Sequence, residues 1–327
     1  MIRKLVYSIT NRHNAKQGDY NVWEQKPVNE MTLSEIERFS KTNSGRFSWL
    51  DISGGDATLR QDYIDIVNTF RRNNDIMFFS TTIDNLLDAG YYVDKMEELA
   101  RMGMRYTYAV ISLSPPGGSE GKLQGMEGHF SKAIALASQL RSIELKYGNF
   151  HFLFGYTITQ INQGLLIPTI EATRHMLPFV NYKRFLVDCY QRSSIYSKDD
   201  TQDLTPDTKI AIPEMIKYRS LYGLPLSIPE MIRAMYLKGL VYFMRRGERL
   251  FDEKPFRRFA CLDNYGNLYP SLDIGSVAEN IRHYGGIYDL SALEKQPAED
   301  KKEPIAVCND SVQFLDVPNF IKAAIIP

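Results

Sequence analysis

The sequence predicts an α/β fold, a partial (β/α)6 TIM-like barrel followed by a C-terminal α+β extension. Three observations carry that expectation. Short apolar runs alternate six times with longer segments of helical periodicity over about the first 190 of the 327 residues. The stretches that close the runs are rich in Gly, Ser, Thr and Asn. After residue 195 the rhythm stops. Strands alternating with helices of this length indicate parallel βαβ units. Six such units are too few for a closed eight-unit barrel, which needs roughly 250 residues.

The expected strands are RKLVYSIT (3–10), RFSWLDIS (46–53), DIMFFSTT (75–82), RYTYAVISLS (105–114), NFHFLFGYTIT (149–159) and YKRFLVDCY (182–190). The helical segments between them are TLSEIERFSKTN, QDYIDIVNTFRRN, VDKMEELARMG, HFSKAIALASQLRSIELKYG and GLLIPTIEATRHMLPFV. Each repeats apolar residues at three and four spacing. TLSE has the form of a capping box, with Thr32 at the cap and Glu35 three residues on. The strand ends expected to carry a ligand site are TNRHN, SGGDAT, STT, SLSPPGG, TITQIN and CYQRSS.

Beyond residue 195, SKDDTQDLTPDT is a polar loop. IPEMIKYRSLYG and IPEMIRAMYLKGLVYFMRRG read as helices, each with Pro near its start. FACLDNYGNLYPSLD (259–273) reads as a hairpin turning at NYGN, and QPAEDKKEP (296–304) as a charged linker. The expected division is a barrel over 1–195 and an appended region over 196–327. No internal repeat or low-complexity segment interrupts it.

Composition narrows the partners. The chain is 44% apolar and 24% charged, with 39 basic and 39 acidic residues. Zero net charge gives no electrostatic reason to expect nucleic acid or an acidic membrane. Without a basic groove the 20 tyrosines and 17 phenylalanines are expected in the core and pockets rather than stacking on bases. No apolar run has the roughly 18 to 20 residues of a membrane span. The apolar part of MIRKLVYSIT is too short for a signal peptide. The expected location is cytoplasmic. Cys189, Cys261 and Cys308 have no metal-site spacing, so buried free thiols are expected.

The order of motifs resembles the radical S-adenosylmethionine (radical SAM) superfamily, in particular members with a C-terminal SPASM or twitch extension. Residues 10–20, TNRHNAKQGDY, resemble the first-loop pattern T-N-x-C-N-x-x-C-x-x-C. DISGGDATLRQDYIDIV resembles the G-G-E-P segment after strand two. ISLSPPGGSEGKLQGMEGHFSKAIALASQL, YTITQIN and CLDNYGNLYPSLDIGSVAEN resemble the strand-four, strand-five and extension-hairpin segments. The three cluster cysteines fall on His13, Gln17 and Tyr20. Such clusters are held by thiolates, so the resemblance implies a chain with no [4Fe–4S] cluster and no one-electron cleavage of S-adenosylmethionine. In the hairpin Ser271 stands where a cluster cysteine is usual, leaving Cys261 and Cys308 as remnants of an auxiliary site.

By the same resemblance, Gly54, Gly55 and Asp56 would face the amino group of S-adenosylmethionine. Ser112, with Ser114 as the alternate register, would meet its carboxylate. Thr157, Thr159 and Asn162 would face the ribose. Each has a plainer alternative: a strand-to-helix turn capped by Asp56, strand-end hydroxyls bonded to backbone, and an Asn closing a turn. His13, Asp19 and Tyr20 include metal-binding side-chain types, but the expectation is no metal, with His13 filling the space a cluster would leave. His129, His151, His175 and His283 form no ligand pair. GGSEG (117–121) is expected as a flexible lid or connector.

These expectations converge on a cluster-less, radical-SAM-like pseudoenzyme. It would bind S-adenosylmethionine or a related molecule, a peptide, or a partner enzyme. The alternative is an S-adenosylmethionine-dependent non-radical transferase with His13, Tyr20 or Asp56 as acid or base. A mononuclear metal enzyme is a second alternative.

Overall fold

The computed structural model describes residues 3–13, 27–84, 86, 89–117, 125–190, 204–248, 258–269 and 277–295. Six parallel strands run in order: β1 (Lys4–Ser8), β2 (Trp49–Ser53), β3 (Phe78–Ile83), β4 (Tyr106–Ser112), β5 (Phe150–Ile158) and β6 (Phe185–Cys189). Between successive strands from β1 to β6 lie α1 (Leu33–Thr42), α2 (Tyr63–Asn73), α3 (Ala89–Arg101), α4 (His129–Lys146) and α5 (Leu166–Met176). This is the α/β, partial TIM-like barrel that the periodicity predicts. The capping box at α1 forms as expected, with Glu35 N donating to Thr32 Oγ1 and Thr32 N to the Glu35 carboxylate.

Alternation along each strand divides the sheet into two faces. Leu5, Tyr7, Leu50, Ile52, Phe79, Ile83, Ala109, Ile111, Phe152 and Phe154 pack under the helices in one continuous core. Their neighbours in sequence point into the barrel. The interior is closed at its N-terminal end by a paired floor. Lys4 is 1% exposed, with Nζ 2.7 Å from Asp51 and 4.0 Å from the centre of the Trp49 ring. Trp49 Nε1 also donates to Asp51, at 2.7 Å, and Ser80 donates to the same carboxylate. Phe78 continues the floor between Trp49 and Tyr106, at centroid distances of 5.0 and 5.1 Å.

After β6 come α6 (Thr208–Tyr222) and α7 (Ile228–Arg246). Pro229 lies in the first turn of α7, as expected. Pro213 does not mark the start of α6. Asp207 caps Lys209 N and opens that helix at Thr208, which leaves Pro213 inside it. The hairpin is β7 (Phe259–Leu262) and β8 (Asn267–Tyr269), followed by the short β9 (Glu279–Asn280). β7 pairs in parallel with β1, so the hairpin belongs to the same nine-stranded sheet, ordered β6-β5-β4-β3-β2-β1-β7-β8-β9. Among the described residues no helix is long and apolar enough to cross a membrane.

Candidate functional site

The C-terminal ends of the strands form a polar rim above the floor. Its first wall is the loop after β1. Arg60 holds that loop by donating to Ile9 O at 2.8 Å and Met31 O at 2.5 Å, while its Nε pairs with Asp62 at 2.7 Å. Glu30 accepts from Asn11 N at 2.9 Å, and the Asn11 amide donates to Tyr265 of the hairpin turn. The glycine strip after β2 lies directly on this loop. Gly55 N donates to Thr10 O and Asp56 N to Arg12 O, each at 2.7 Å. A Cβ on Gly54 would lie 2.4 Å from Thr10 O, and one on Gly55 2.2 Å from Arg12 O. The close backbone approach is what requires glycine here.

Asp56, expected as an acid, base or ammonium acceptor, is fully buried and engaged at both oxygens. Thr58 N and Thr58 Oγ1 donate to Oδ1 at 3.0 and 2.6 Å, and Tyr92 OH to Oδ2 at 2.6 Å. It caps the 3-10 turn Ala57–Leu59, the plainer of the two readings of the sequence. Burial raises its pKa. Burial also drives Tyr92 far above the tyrosine range.

Ser112 is likewise engaged within the protein. It lies at the end of β4 but donates its hydroxyl hydrogen to Asp84 Oδ1, so that hydrogen does not face a ligand carboxylate. Asp84 directly follows β3 and shares the interior face with Ser80 and Thr82. Burial pushes its carboxyl up to about 6. The charge of His13, half-buried at the end of the described part of the first loop, favours the ionised form of both Asp84 and Asp56. Behind Asp84, His129 Nε2 lies 3.4 Å from the Asp84 carbonyl oxygen, and Ser114 Oγ lies 3.4 Å from His129 Nδ1. A carbonyl only accepts, so Nε2 carries the proton and Nδ1 accepts from Ser114. Burial lowers the His129 pKa to about 4, which leaves a neutral, structural imidazole at neutral pH.

On the far side of the mouth Thr157 is half-exposed on the interior face of β5. Asn162 is 3% exposed and closes its own turn. It donates to Thr157 O at 2.9 Å and accepts from Thr159 N at 2.7 Å, the bonds of an Asn closing a turn. Gln17, Asp19, Tyr20, Ser271 and Cys308 lie outside the described residues. Cys189 is buried on the helix side of β6, with Sγ 3.6 and 3.5 Å from the sulfurs of Met215 and Met244. Cys261 is buried beside Val6, Phe259 and Tyr269. Among the described residues no three His, Cys, Asp or Glu side chains form a metal-holding group.

Sequence reasoning missed Asp84 and the part played by His129. The signal for Asp84 was present. The third strand runs to Ile83, one residue beyond the STT at which the sequence reading ended it, and the next residue on the interior face is Asp84.

No protein-family model matches the chain, and no curated protein matches it in sequence. Solved structures do resemble it. Native anSMEcpe with bound AdoMet superposes at a TM-score of 0.60 and 13% identity, over 90% of this chain and 81% of that one. The same protein with AdoMet and the Cp18Cys peptide gives 0.55 and 12%, over 98% and 82%. Streptococcus suis SuiB bound to S-adenosylmethionine gives 0.55 and 14%, over 86% of this chain and 64% of SuiB. The chain thus spans just under two thirds of the length of SuiB. At these identities the likeness shows the fold alone, the one shared with these structures.

Proposed function

We propose that this chain is a radical-SAM-fold protein that binds an S-adenosylmethionine-like ligand at the C-terminal rim without radical chemistry. The observation that carries the reading is the donor set. The fold implies a [4Fe–4S] cluster on three first-loop thiolates, and the first cysteine of the chain is Cys189. That thiol packs against Met215 and Met244, on the opposite face of the sheet from the barrel interior. The three first-loop positions carry His13, Gln17 and Tyr20. Imidazole, amide and phenol do not assemble a sulfide cluster of this kind. What the rim retains is a mouth lined by Ser53, Thr82, Ser112 and Thr157, beside a glycine strip, Gly54 and Gly55, packed on the first loop. This suits a polar ligand, with a peptide or partner enzyme as a further occupant. The neighbours solved with AdoMet, one of them also with a peptide, support the same reading.

The test is calorimetric titration of the full chain with S-adenosylmethionine and S-adenosylhomocysteine, beside iron and sulfide analysis after anaerobic reconstitution. Ligand binding with no cluster iron is expected. Stoichiometric iron and sulfide would overturn the cluster-less reading, and absence of binding at millimolar ligand would overturn the ligand.

A second reading, non-radical transfer from S-adenosylmethionine, is favoured by one observation. Asp84 is a carboxyl whose pKa burial has moved toward neutrality, as general acid–base work requires. Methylthioadenosine or S-adenosylhomocysteine released in the presence of substrate would establish it. A mononuclear metal site built on His13, Asp19 and Tyr20 is the remaining alternative, and two of its three residues lie outside the described ones.

A further inference from the structure

The register places Asp84 opposite Ser112. Ile83 pairs with Ile111, so the next residue on each strand forms the next step, and the Ser112 hydroxyl donates to the carboxylate across it. A serine hydroxyl has one hydrogen. A ligand carboxylate brought to Ser112 would find that hydrogen already donated and would lie beside the charge of Asp84. Among the described residues no lysine or arginine forms an ion pair with Asp84. The guanidinium of Arg60 is held by Ile9 O, Met31 O and Asp62. The position at which the resemblance expects a ligand carboxylate therefore already holds a carboxylate of the protein, on which only the charge of His13 acts from the first loop.

A second observation points into the same space. Ser8 is 1% exposed, and its hydroxyl has no hydrogen-bond partner. It shares the interior face of β1 with Lys4 and Val6. Ser8 pairs with Ser53, and continuation of the β2–β3 register sets Ser53 beside Thr82, one step below Asp84 on the same face. Buried hydroxyls normally find partners, and an unmatched one beside a solvent-reachable mouth marks a position a ligand can satisfy. Asp84 itself accepts only from Ser112 among the described residues, at Oδ1, which leaves Oδ2 to receive a donor.

We propose that Asp84, held by Ser112, anchors a primary ammonium group of the bound ligand, with the Ser8 hydroxyl as a deeper neutral acceptor. The inference rests on the ligand-binding reading above and gives it a charge preference. An ammonium offers three donors and a positive charge, which match one carboxylate oxygen and hydroxyl oxygens. The amine belongs either to the nucleoside ligand or to a lysyl side chain of a peptide, and the experiment separates the two.

The full chain is titrated calorimetrically at pH 7.5 with S-adenosylmethionine, with decarboxylated S-adenosylmethionine, and with a blocked Gly-Lys-Gly tripeptide, in wild type and in Asp84→Asn. The decarboxylated compound keeps the amine and lacks the carboxylate. Because a ligand carboxylate would lie beside the charge of Asp84, it is expected to bind at least about tenfold tighter than S-adenosylmethionine. Asp84→Asn is expected to remove that preference. Binding of the lysyl peptide alone, lost in Asp84→Asn, would keep the ammonium site and overturn the nucleoside ligand. Equal or tighter binding of S-adenosylmethionine, a preference unchanged in Asp84→Asn, or no binding of any of the three amines would overturn the proposal. The wild-type comparison decides even if the variant does not fold.

Discussion

The floor and the rim of the barrel are built on one face of one sheet, yet they handle charge in opposite ways. On the floor, Asp51 is matched by Lys4 at 2.7 Å, by Trp49 Nε1 at 2.7 Å and by Ser80, under a run of stacked rings. Two strand steps higher, Asp84 has one hydroxyl donor and no lysine or arginine paired to it among the described residues, with only the charge of His13 acting on it from the first loop. A buried charge with every partner present holds the structure in one arrangement. A partly buried charge left under-matched raises the energy of the apo protein and is relieved by a ligand of the opposite charge. The difference separates what the sheet needs to fold from what it offers to bind.

The comparison is broken most severely on the floor. Asp51→Ala or Lys4→Ala leaves the partner charge buried and alone, and should destabilise the chain by about 3–5 kcal/mol. Urea denaturation of each single variant and of the double Lys4→Met/Asp51→Val variant checks it. The double variant should recover most of the loss, because no unpaired charge remains.

At the rim, Gly55→Ala forces a Cβ to within 2.2 Å of Arg12 O. Displacing the first loop should cost about 1–3 kcal/mol and remove ligand binding even where the variant stays folded. Thermal melts and titration on the same sample separate the two effects.

Asp84→Asn should act in the opposite direction and stabilise the apo protein, by on the order of 1–2 kcal/mol at pH 7.5. The sign follows from linkage. The folded pKa of Asp84 is about 6, above its ordinary 3.8, so the folded state holds the proton more tightly. Its contribution therefore favours folding at low pH and is lost as pH rises through 3.8 to about 6. His129 runs the other way: its pKa falls from 6.5 to about 4, and its contribution is lost as pH falls through that window. The difference between the wild-type and Asp84→Asn curves isolates Asp84. A difference curve flat from pH 4 to pH 7.5 would show that the carboxyl is not perturbed.

An effect of similar size and opposite sign is expected at Asp56. Asp56→Ala removes a cap and the Tyr92 contact and should cost about 1–2 kcal/mol, with ligand preference between amine and carboxylate unchanged. A lost preference would place Asp56 in the ligand site beside Asp84.

Local signals in this chain were strong where a local cause is sufficient. Six strands, the capping box of Thr32 and Glu35, and the NYGN turn follow from period, side-chain reach and turn chemistry within a few residues. The strand ends that form the rim were legible as a group. The glycine strip, Ser112 and His13 were placed on the correct strand ends because parallel βαβ order carries those ends to one rim. Their partners were not legible. Asp84 was hidden by a strand boundary read one residue short, which ended the alternation before the face it shares with Ser80 and Thr82. The Ser112 hydroxyl could have faced a ligand or a neighbour, and only the β3–β4 register chose the neighbour. Asn162 could have faced a ribose or its own backbone, and the turn after β5 chose the backbone. The parallel pairing of β7 with β1 joins residues some 250 positions apart and has no local signature. Period and spacing determined which elements form and which ends carry polar residues. Tertiary structure alone decided which polar groups satisfy one another and which remain for a ligand, because hydrogen-bond partners and desolvation are properties of the packed arrangement and not of the chain order.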